Sequence, residues 1–455
     1  MAILLMVLML TSCGDLLGGV LGVQLADPLS PSISHDTEDS SFSIHYGESA
    51  ELKVKASVSD KGALSYQWYK NTKDNFEKAT KISGATKASY TVTGNSEDEA
   101  YYWCEVTNSL NMKTKTDYSS SFYVKISNVV QIDNDIDKNE EWNPIYTYWI
   151  TTDCHVNATL TIPEGTVVKF AENAWLGTRE NGKITANGTA EKRIIFTSET
   201  DKSVGINIYK GSKSPAAGYW EGISTEGVAG SSFTYCDIRY AGSECFGAMY
   251  LQKKTTVTNC KFYNNASPDT YCGALNIGEG ATASSVKDNV FYDNDYPLSC
   301  RSNFTVDTSN KFSFTDDSDT VHKNKYQGIF VRNQDIEKGK TVTYGVTEVP
   351  YVIMEELHIY GELTIADDVI LRVMDDVSID IKDGENPNAT LTLNGCIITS
   401  YEDDGHGGDI NGDGSVDEAE EGAWEGIYYE SSGFKNSLNK DETKVLFNDD
   451  SKYAE

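Results

Sequence analysis

The alternation of apolar and polar positions between about Ser40 and Ile126 predicts short β-strands that each bury one face. The segment "AELKVKASV" (50–58) carries an apolar residue at every second position, which is the period of a half-buried strand. The next segment, "LSYQWYKN" (64–71), places Trp68 in a second strand. Long helical patterns are absent, so the sequence predicts an all-β protein.

From about Val130 onward the pattern changes to regularly spaced rungs. Three similar segments, with starts 24 and 29 residues apart, read "YCDIRYAG" (235–242), "NCKFYNNA" (259–266) and "DNVFYDND" (288–295). A second series lies between them and reads "GAMYLQ", "GALNIG" and "PLSCRS". Short strands that recur at this period are typical of a parallel β-helix, in which equivalent residues stack from coil to coil.

The rungs align residue by residue and predict interior ladders. Equivalent positions hold Cys236, Cys260 and Asn289, then Ile238, Phe262 and Phe291, then Tyr240, Asn264 and Asp293. We therefore expect stacked Phe and Asn side chains in the interior and turns of the solenoid.

A larger repeat spans the β-helix. "LTIPEGTVVKF" (160–170) matches "LTIADDVILRV" (363–373), and "GYWEGI" (218–223) matches "GAWEGI" (422–427) at almost the same offset. In each copy a variable insertion separates a Thr-Ser turn from the Trp-Glu-Gly-Ile strand. The sequence thus predicts two modules of one design, about 128–345 and 346–455, the second incomplete.

The N-terminal strands resemble immunoglobulin-like domains. Residues 98–104, "DEAYYWC", fit that family's D-x-A-x-Y-x-C motif, which implies that Tyr102 is the corner tyrosine and Trp68 the core tryptophan. The family's partner cysteine is missing near Val54, so Cys104 is expected to be a buried thiol. We assign residues 39–127 to this domain, as a spacer or binding module.

The rungs resemble right-handed parallel β-helix proteins of the bacterial surface. That family includes polysaccharide lyases, pectin hydrolases and adhesin-like lipoproteins, so the resemblance implies the fold without choosing a function. The expected fold class is all-β, with an N-terminal Ig-like sandwich followed by a parallel β-helix.

The N-terminus resembles a bacterial lipoprotein signal. An apolar run ends in Leu10-Thr11-Ser12-Cys13, which implies cleavage after residue 12 and lipidation of Cys13. Asp15 and nearby glycines argue against a membrane span, which needs about 20 apolar residues. Residues 1–13 would form the signal and residues 14–38, rich in Ser, Pro and Asp, a flexible tether. The expected location is the cell envelope, with membrane attachment through lipid.

The composition is strongly acidic, with 69 Asp and Glu against 38 Lys and Arg and a formal charge of −31. Such a surface repels phosphate backbones and argues against a nucleic-acid partner. It attracts cations, and calcium is the expected one.

A calcium loop is predicted in the second insertion, which reads "DDGHGGDINGDGSVDEAE" (403–420). The residues at the ligand positions of the twelve-residue pattern are Asp409, Asn411, Asp413, Ser415, Asp417 and Glu420. A hard cation needs six to eight oxygens at this spacing, and Gly414 permits the sharp turn.

Catalytic interpretations of the sequence are weaker. "DDGHGG" is similar to motifs of β-helical pectin hydrolases, but that family places the two motifs about a coil apart. Asp403 and Asp404 are therefore interpreted as calcium-facing or solvated carboxylates. The basic residues that a lyase would need are interpreted as surface residues; they are Arg301, Lys323, Lys325 and Arg332.

The cysteines of the rungs allow two interpretations. Disulfides Cys236–Cys260 and Cys245–Cys272 are conceivable because stacked coils lie about 4.8 Å apart, and buried thiols are the alternative. Tyr- and Asn-rich segments at 263–271 and 291–298 suit glycans, and turn or ladder residues without a ligand are their alternative.

The function expected from the sequence is a non-catalytic surface lipoprotein, monomeric, that binds a glycan or surface protein along a calcium-stabilised β-helix. The alternatives are a calcium-dependent polysaccharide lyase or glycoside hydrolase on the same scaffold, and a passive spacer of the envelope.

Overall fold

The chain forms two compact units that meet in sequence between Asn128 and Val129. The computed structural model describes residues 25–244, 246–268, 271–412, 414, 419–431, 433–434 and 443–448. The predicted lipidation site, Cys13, lies outside the described residues. Within the described ranges, no helix is long and apolar enough to cross a membrane.

The N-terminal unit is a sandwich of two sheets. The first sheet is antiparallel, with strands Ser32–His35, Ser49–Ser57 and Ser89–Thr93. The second contains Ser41–Ile44, Phe122–Ile126, Asp98–Leu110, Ala63–Asn71, Thr80–Lys81 and Lys113–Tyr118. A short 3-10 helix spans Phe76–Lys78. The sandwich begins before residue 39, since Ser32–His35 pairs with Ser49–Ser57 and does not belong to a tether.

The core of the sandwich is centred on Trp68. Alternate residues of both sheets point inward, and Leu52, Trp68, Cys104 and Phe122 are fully buried. Trp68 pairs with Cys104 across neighbouring strands, and its indole N–H donates to the Lys87 carbonyl at 2.9 Å. Burial raises the pKa of the free Cys104 thiol to about 12.

The C-terminal unit is a parallel β-helix, as the sequence predicts. Sheet one contains Val129–Ile132, Thr147–Ile150, Val167–Phe170, Ile194–Ser198, Cys236–Arg239, Lys261–Tyr263 and Val290–Tyr292. Sheet two contains Cys154–Val156, Trp175–Thr178, Gly222–Thr225, Met249–Leu251, Leu275–Ile277, Leu298–Arg301, Ile329–Arg332, Tyr351–Ile353, Ile370–Val373, Ile397–Ser400 and Lys444–Val445. Sheet three contains Glu140–Glu141, Thr159–Pro163, Lys183–Asn187, Ser231–Thr234, Thr255–Thr258 and Ser285–Lys287.

Two shorter sheets replace sheets one and three in the second module. Sheet four contains Thr341–Tyr344, Glu362–Ile365 and Thr390–Leu393, and sheet five contains Leu357–Ile359, Ser378–Ile381, Gly426–Tyr429 and the antiparallel Gly433–Phe434. Late in the first module, Ser313–Thr315 and Val321–Lys323 form a hairpin, and a short 3-10 helix spans Glu279–Ala281.

The predicted register of the rungs is confirmed. Ile238, Phe262 and Phe291 are paired on successive strands of sheet one, and the rings of Phe262 and Phe291 stack with centroids 5.0 Å apart. The third set of equivalent residues lies in turns, because Asn264 and Asp293 have positive φ angles of 55° and 54°.

Asparagine ladders tie the coils together inside the turns. Asn265 is 1% exposed, and its amide oxygen accepts the N–H of Ala241 at 3.0 Å. Asn294 does the same for the N–H of Asn265, and Asn324 for that of Asn294. Each side chain satisfies a buried backbone group that a sheet no longer pairs, so these asparagines are ladder residues and are not available to a glycan.

A second ladder begins with two cysteines and continues with Asn289 and Asn310. Cys260 Sγ accepts the N–H of Cys236 at 3.4 Å, the position that an asparagine fills on later coils. Cys236 and Cys260 are free thiols, so the conceivable disulfide Cys236–Cys260 is not formed. Cys245, the other candidate, lies outside the described residues.

The second module repeats the first, but its repeated strands lie one sheet further around the solenoid. Val167–Phe170 lies in sheet one, whereas its repeat Ile370–Val373 stacks in sheet two. Local contacts are preserved: the indole N–H of Trp220 donates to the Arg239 carbonyl, and that of Trp424 to the Leu446 carbonyl.

Candidate functional site

The described part of the predicted calcium loop is folded around Asp409. Its carboxylate accepts the N–H of Gly412 at 2.6 Å and of Gly414 at 3.1 Å. Gly414 has a positive φ of 78°, the sharp turn that a calcium loop requires at its sixth position. The candidate ligands Asp413, Ser415 and Asp417 lie outside the described residues, and Asn411 and Glu420 within them.

Ile410 fastens this insertion to the outer face of sheet two. Its side chain is fully buried in an apolar cluster with Tyr296, Phe330 and Val352. Phe330 and Val352 are neighbours on adjacent strands of sheet two. The loop that carries Asp409 and Asn411 is therefore held against the β-helix wall by the residue between them.

Asp403 and Asp404 are not solvated, contrary to the sequence-based interpretation. They are 2% and 6% exposed. Asp403 accepts hydrogen bonds from the hydroxyl of Thr399 at 2.5 Å and the N–H of Gly405 at 3.0 Å, and it contacts Nδ1 of His406 at 2.7 Å. This carboxylate stabilises the turn, because its oxygens accept hydrogen bonds from the turn and from the strand that precedes it.

Arg372 holds the backbone of this turn through hydrogen bonds from its side chain. The buried guanidinium donates to the carbonyls of Tyr401, His406 and Gly408 at 2.6–3.0 Å and lies 3.5 Å from Asp404. Its hydrogen bonds satisfy carbonyls of the insertion that have no strand partner.

The first module contains an equivalent buried cation that binds backbone carbonyls. Lys169, at the position equivalent to Arg372, is fully buried and donates to the carbonyls of Asp201 and Ile206 at 2.7 and 2.8 Å. The Asp201 carboxylate accepts from the Thr197 hydroxyl as Asp403 does from Thr399. Burial, opposed by Asp201 and assisted by Arg239, lowers the pKa of Lys169 to about 8.

Three other histidines lie beside carboxylates: His155 beside one, His322 beside two, and His358 within 3.9 Å of three. His155 lies 3.0 Å from Asp135, and His322 lies 3.0 Å from Asp293. Among the described residues, no three His, Cys, Asp or Glu side chains form a group suited to a metal ion.

The Tyr-rich segments diverge in the structure. Tyr263 and Tyr292 stack on the outside of sheet one, with centroids 4.9 Å apart and nearly parallel rings. Tyr296 is instead buried in the cluster that receives Ile410. The predicted Tyr and Asn array is therefore divided: Tyr263 and Tyr292 form a partly exposed stack, which Phe314 extends at 4.8 Å from Tyr292.

A concave site lies along the outer side of sheet two. Its first part, the aromatic cleft, encloses about 320 Å³ and is lined by Asp153, His155, Trp175, Arg179, Glu221, Ser224, Glu226, Glu244, Phe246 and Tyr250, with backbone at 222–223 and 247. Tyr250 points outward because its neighbours Met249 and Leu251 fill the interior. The rings of Phe246 and Tyr250 stack at 5.4 Å, and Arg179 lies 5.7 Å from the Trp175 ring.

The aromatic cleft also carries a perturbed carboxyl group. The pKa of Glu221 is raised by burial, and further by the charges of Asp153 and Glu244 in the same cleft.

The second part, the polar trough, continues from Tyr250 onto the turn that follows sheet two. It comprises two adjoining hollows of about 550 and 420 Å³. Its lining side chains are Tyr250, Gln252, Lys253, Glu279, Thr282, Arg301, Asn303, Asn333, Gln334, Asp335, Glu337, Lys340 and Glu355. Tyr250 lines both parts, so the cleft and the trough adjoin at this residue and are together called the groove.

The groove crosses many coils. Its lining residues come from or directly follow eight consecutive strands of sheet two, from Cys154–Val156 to Tyr351–Ile353. Strands about 4.8 Å apart make this roughly 34 Å long. The long axis of a bound ligand would lie parallel to the solenoid axis.

Three side-chain amide oxygens in the trough are buried and lack a donor in the described part of the chain. They are Asn303 Oδ1, Asn333 Oδ1 and Gln334 Oε1. Asn303 is 6% exposed. They lie together because the Ser302 hydroxyl bonds the backbone of Gln334, and Arg301 donates to the Asn333 carbonyl at 3.1 Å. Buried acceptors without donors are uncommon and point to a ligand or solvent partner.

Sequence reasoning missed this groove. Arg301 was interpreted as a surface residue, and Trp175, Phe246 and Asn303 were not singled out. The outward positions of equivalent rungs, once aligned, are the signal that could have indicated them.

The comparisons with known proteins give little further information. No family model matches the chain, and no curated protein matches it significantly. Matching solved structures include pectate lyase PelI from Erwinia chrysanthemi in complex with tetragalacturonic acid, at 9% identity and a TM-score of 0.16, covering 82% of this chain and 90% of that one. Pectate lyase Pel3 from Pectobacterium carotovorum matches at 10% identity and a TM-score of 0.15, covering 82% of this chain and 92% of that one. A likeness this weak carries no argument, so the β-helix assignment rests on the strand pairing.

Proposed function

We propose that this protein binds an extended glycan along the groove of sheet two, without catalysing a reaction. The observation that carries the proposal is the row of adjoining hollows along sheet two, with stacked aromatic rings at one end and residues with buried, donor-less amide oxygens at the other. Sugar rings pack on aromatic faces, and their hydroxyl groups donate to amide oxygens. Successive coils would bind successive sugars.

Replacement of Trp175 tests this proposal. We expect Trp175→Ala to weaken binding of a glycan found in an oligosaccharide panel by roughly tenfold, because an aromatic platform is lost. Tyr263→Ala is the matched control, since Tyr263 lies on the outside of sheet one. Equal losses in isothermal titration calorimetry for both variants would refute the groove as the binding site.

A hydrolase is the second candidate, because Glu221 has a raised pKa beside two other carboxyl groups. In this scheme Glu221 would act as the general acid toward the leaving oxygen, and Asp153 or Glu244 would act as the base or nucleophile. Incubation with neutral and anionic polysaccharides, with and without calcium, tests for new reducing ends and unsaturated products. Turnover abolished by Glu221→Gln would favour the hydrolase over the non-catalytic binder.

Calcium is proposed to rigidify the second insertion. Asp409, Asn411, Asp413, Ser415, Asp417 and Glu420 would supply the oxygens. The turn at Gly414 and the orientation of the Asp409 carboxylate toward the loop fit such a site. The ion would supply charge neutralisation among these carboxylates and would stabilise the fold.

Thermal melting tests the calcium site. At a hundredfold excess over the dissociation constant, calcium would add about 2.7 kcal/mol to the wild type. We expect Asp413→Ala to remove this shift, with Asp319→Ala in the hairpin as an acidic control. A calcium shift that survives in Asp413→Ala would place the site elsewhere.

Attachment to the cell envelope through lipid on Cys13 is likewise proposed, from the sequence motif alone. Expression in a bacterial host with labelled palmitate tests it. The wild type should carry label and partition with membranes, and Cys13→Ser should lose both properties.

A further inference from the structure

The charges of the groove do not suit an anionic polymer. Its lining side chains, within the described residues, include eight carboxylates and four Lys or Arg. The carboxylates are Asp153, Glu221, Glu226, Glu244, Glu279, Asp335, Glu337 and Glu355, and the cations are Arg179, Lys253, Arg301 and Lys340. A ligand with a carboxylate on every sugar would meet net repulsion, which the low dielectric of a cleft strengthens.

Two of the four cations already have partners. Arg301 donates to the carbonyl of Asn333, and Arg179 lies over the ring of Trp175. These neutral partners orient the two guanidinium groups without cancelling their charge, and the carboxylates still outnumber the cations by eight to four.

The amide oxygens of the trough require hydrogen-bond donors. Asn303 Oδ1, Asn333 Oδ1 and Gln334 Oε1 can only accept, and nothing in the described ranges donates to them. Hydroxyl and ammonium groups donate, so a sugar can satisfy these oxygens. Uronic acids carry hydroxyl groups too, so the charge of the groove is what discriminates against them. Arg332 Nε, a buried donor without an acceptor among the same residues, belongs to a side chain outside the trough lining.

We infer that the groove selects neutral or amino sugars and rejects polyuronates. This inference rests on the proposed function and names its ligand class: a glycan rich in hydroxyl or ammonium donors. The amide oxygens of the trough accept from these donors, and the carboxylates along the groove exclude acidic sugars. Polyuronates are thereby excluded.

Titration with three hexasaccharides, one of glucose, one of glucosamine and one of galacturonic acid, tests the inference in chelator. We expect the glucose or glucosamine oligomer to bind at least tenfold more tightly than the galacturonic acid oligomer. Tighter or equal binding of the galacturonic acid oligomer, in chelator or only with calcium, would overturn the inference and leave glycan binding intact. Failure of all three to bind would overturn both.

A matched pair of asparagine variants separates recognition from folding. Asn303→Leu should lower, at least tenfold, the affinity for the oligomer that binds. It should not lower the melting temperature, because it removes an acceptor that has no donor. Asn294→Leu should lower the melting temperature, because Asn294 bonds Asn265, Asn324 and the Phe262 carbonyl. An Asn303→Leu protein with unchanged affinity would refute the role of the trough.

The carboxylates have their own test. The double variant Glu279→Gln and Glu337→Gln removes two negative charges from the trough and preserves its shape. We expect the affinity for the galacturonic acid oligomer to rise at least tenfold relative to the wild type. No gain would show that charge does not set the selectivity.

Discussion

At the scale of single residues, buried cations and carboxylates organise the two insertions. Lys169 and Arg372 hold backbone carbonyls that leave the sheet ladder, and Asp201 and Asp403 satisfy donors in the same turns. An insertion that departs from a stacked coil exposes polar backbone next to the sheet, and a charged side chain is an effective partner for it.

Lys169 gives a pH-dependent prediction. Its folded pKa, about 8, is below its ordinary value of 10.5, so the unfolded chain binds more protons between these values. Stability should therefore rise as pH increases from 8 to 10.5, and the gain should be lost as pH falls through 8. Denaturant unfolding of wild type and Lys169→Met across this range measures the difference, and Lys202→Met serves as control.

Asp403 gives a second prediction. Asp403→Ala should cost about 1–3 kcal/mol of unfolding free energy, because the Thr399 hydroxyl and the Gly405 N–H lose their acceptor. The loss should be the same with calcium and with chelator. An Asp403→Ala protein of normal stability that no longer responds to calcium would show instead that Asp403 is a ligand.

At the scale of elements, the second insertion is an addition to the outside of sheet two. Ile410 fills the cluster of Tyr296, Phe330 and Val352, whereas the ladder of the β-helix beneath is complete without it. Such peripheral elements open locally without global unfolding.

Ile410→Ala should therefore release the insertion. The local cost is about 2–5 kcal/mol, the range for truncation of a buried isoleucine. Limited proteolysis should cut between residues 401 and 424 faster than in the wild type, while the melting temperature of the β-helix changes little. Ile145→Ala, at a position 51% exposed, should leave the cleavage rate unchanged.

At the scale of the whole molecule, the sandwich and the β-helix have separate hydrophobic cores. The sandwich packs around Trp68, and the β-helix core runs continuously from Ile136 to Val445. We expect two calorimetric transitions.

Trp68→Ala should lower the temperature of the transition that belongs to the sandwich and leave the other unchanged. Removal of this fully buried indole costs about 3–5 kcal/mol, and the transition of the β-helix should keep its temperature. Phe262→Ala, in the stack with Phe291, is the reciprocal variant and should affect the other transition. A shift of both transitions by either variant would show that the units unfold together.

The sequence by itself determined the strands, the rung register and the repeat. Alternation fixes which face of a strand is buried, and stacking forces equivalent residues such as Phe262 and Phe291 into one ladder. The spacing at 409–420 likewise predicts a calcium loop, although half of its ligand positions lie outside the described residues.

Tertiary structure alone decided the rotation of the second module, the burial of Asp403 and the groove. Trp175, Tyr250 and Arg301 are far apart in sequence and carry no shared pattern, because outward positions of a solenoid are not constrained by its core. Stacking places them on one face, and the path of each coil sets which side chains meet there. The groove is thus a property of how the coils stack, which local periodicity does not encode.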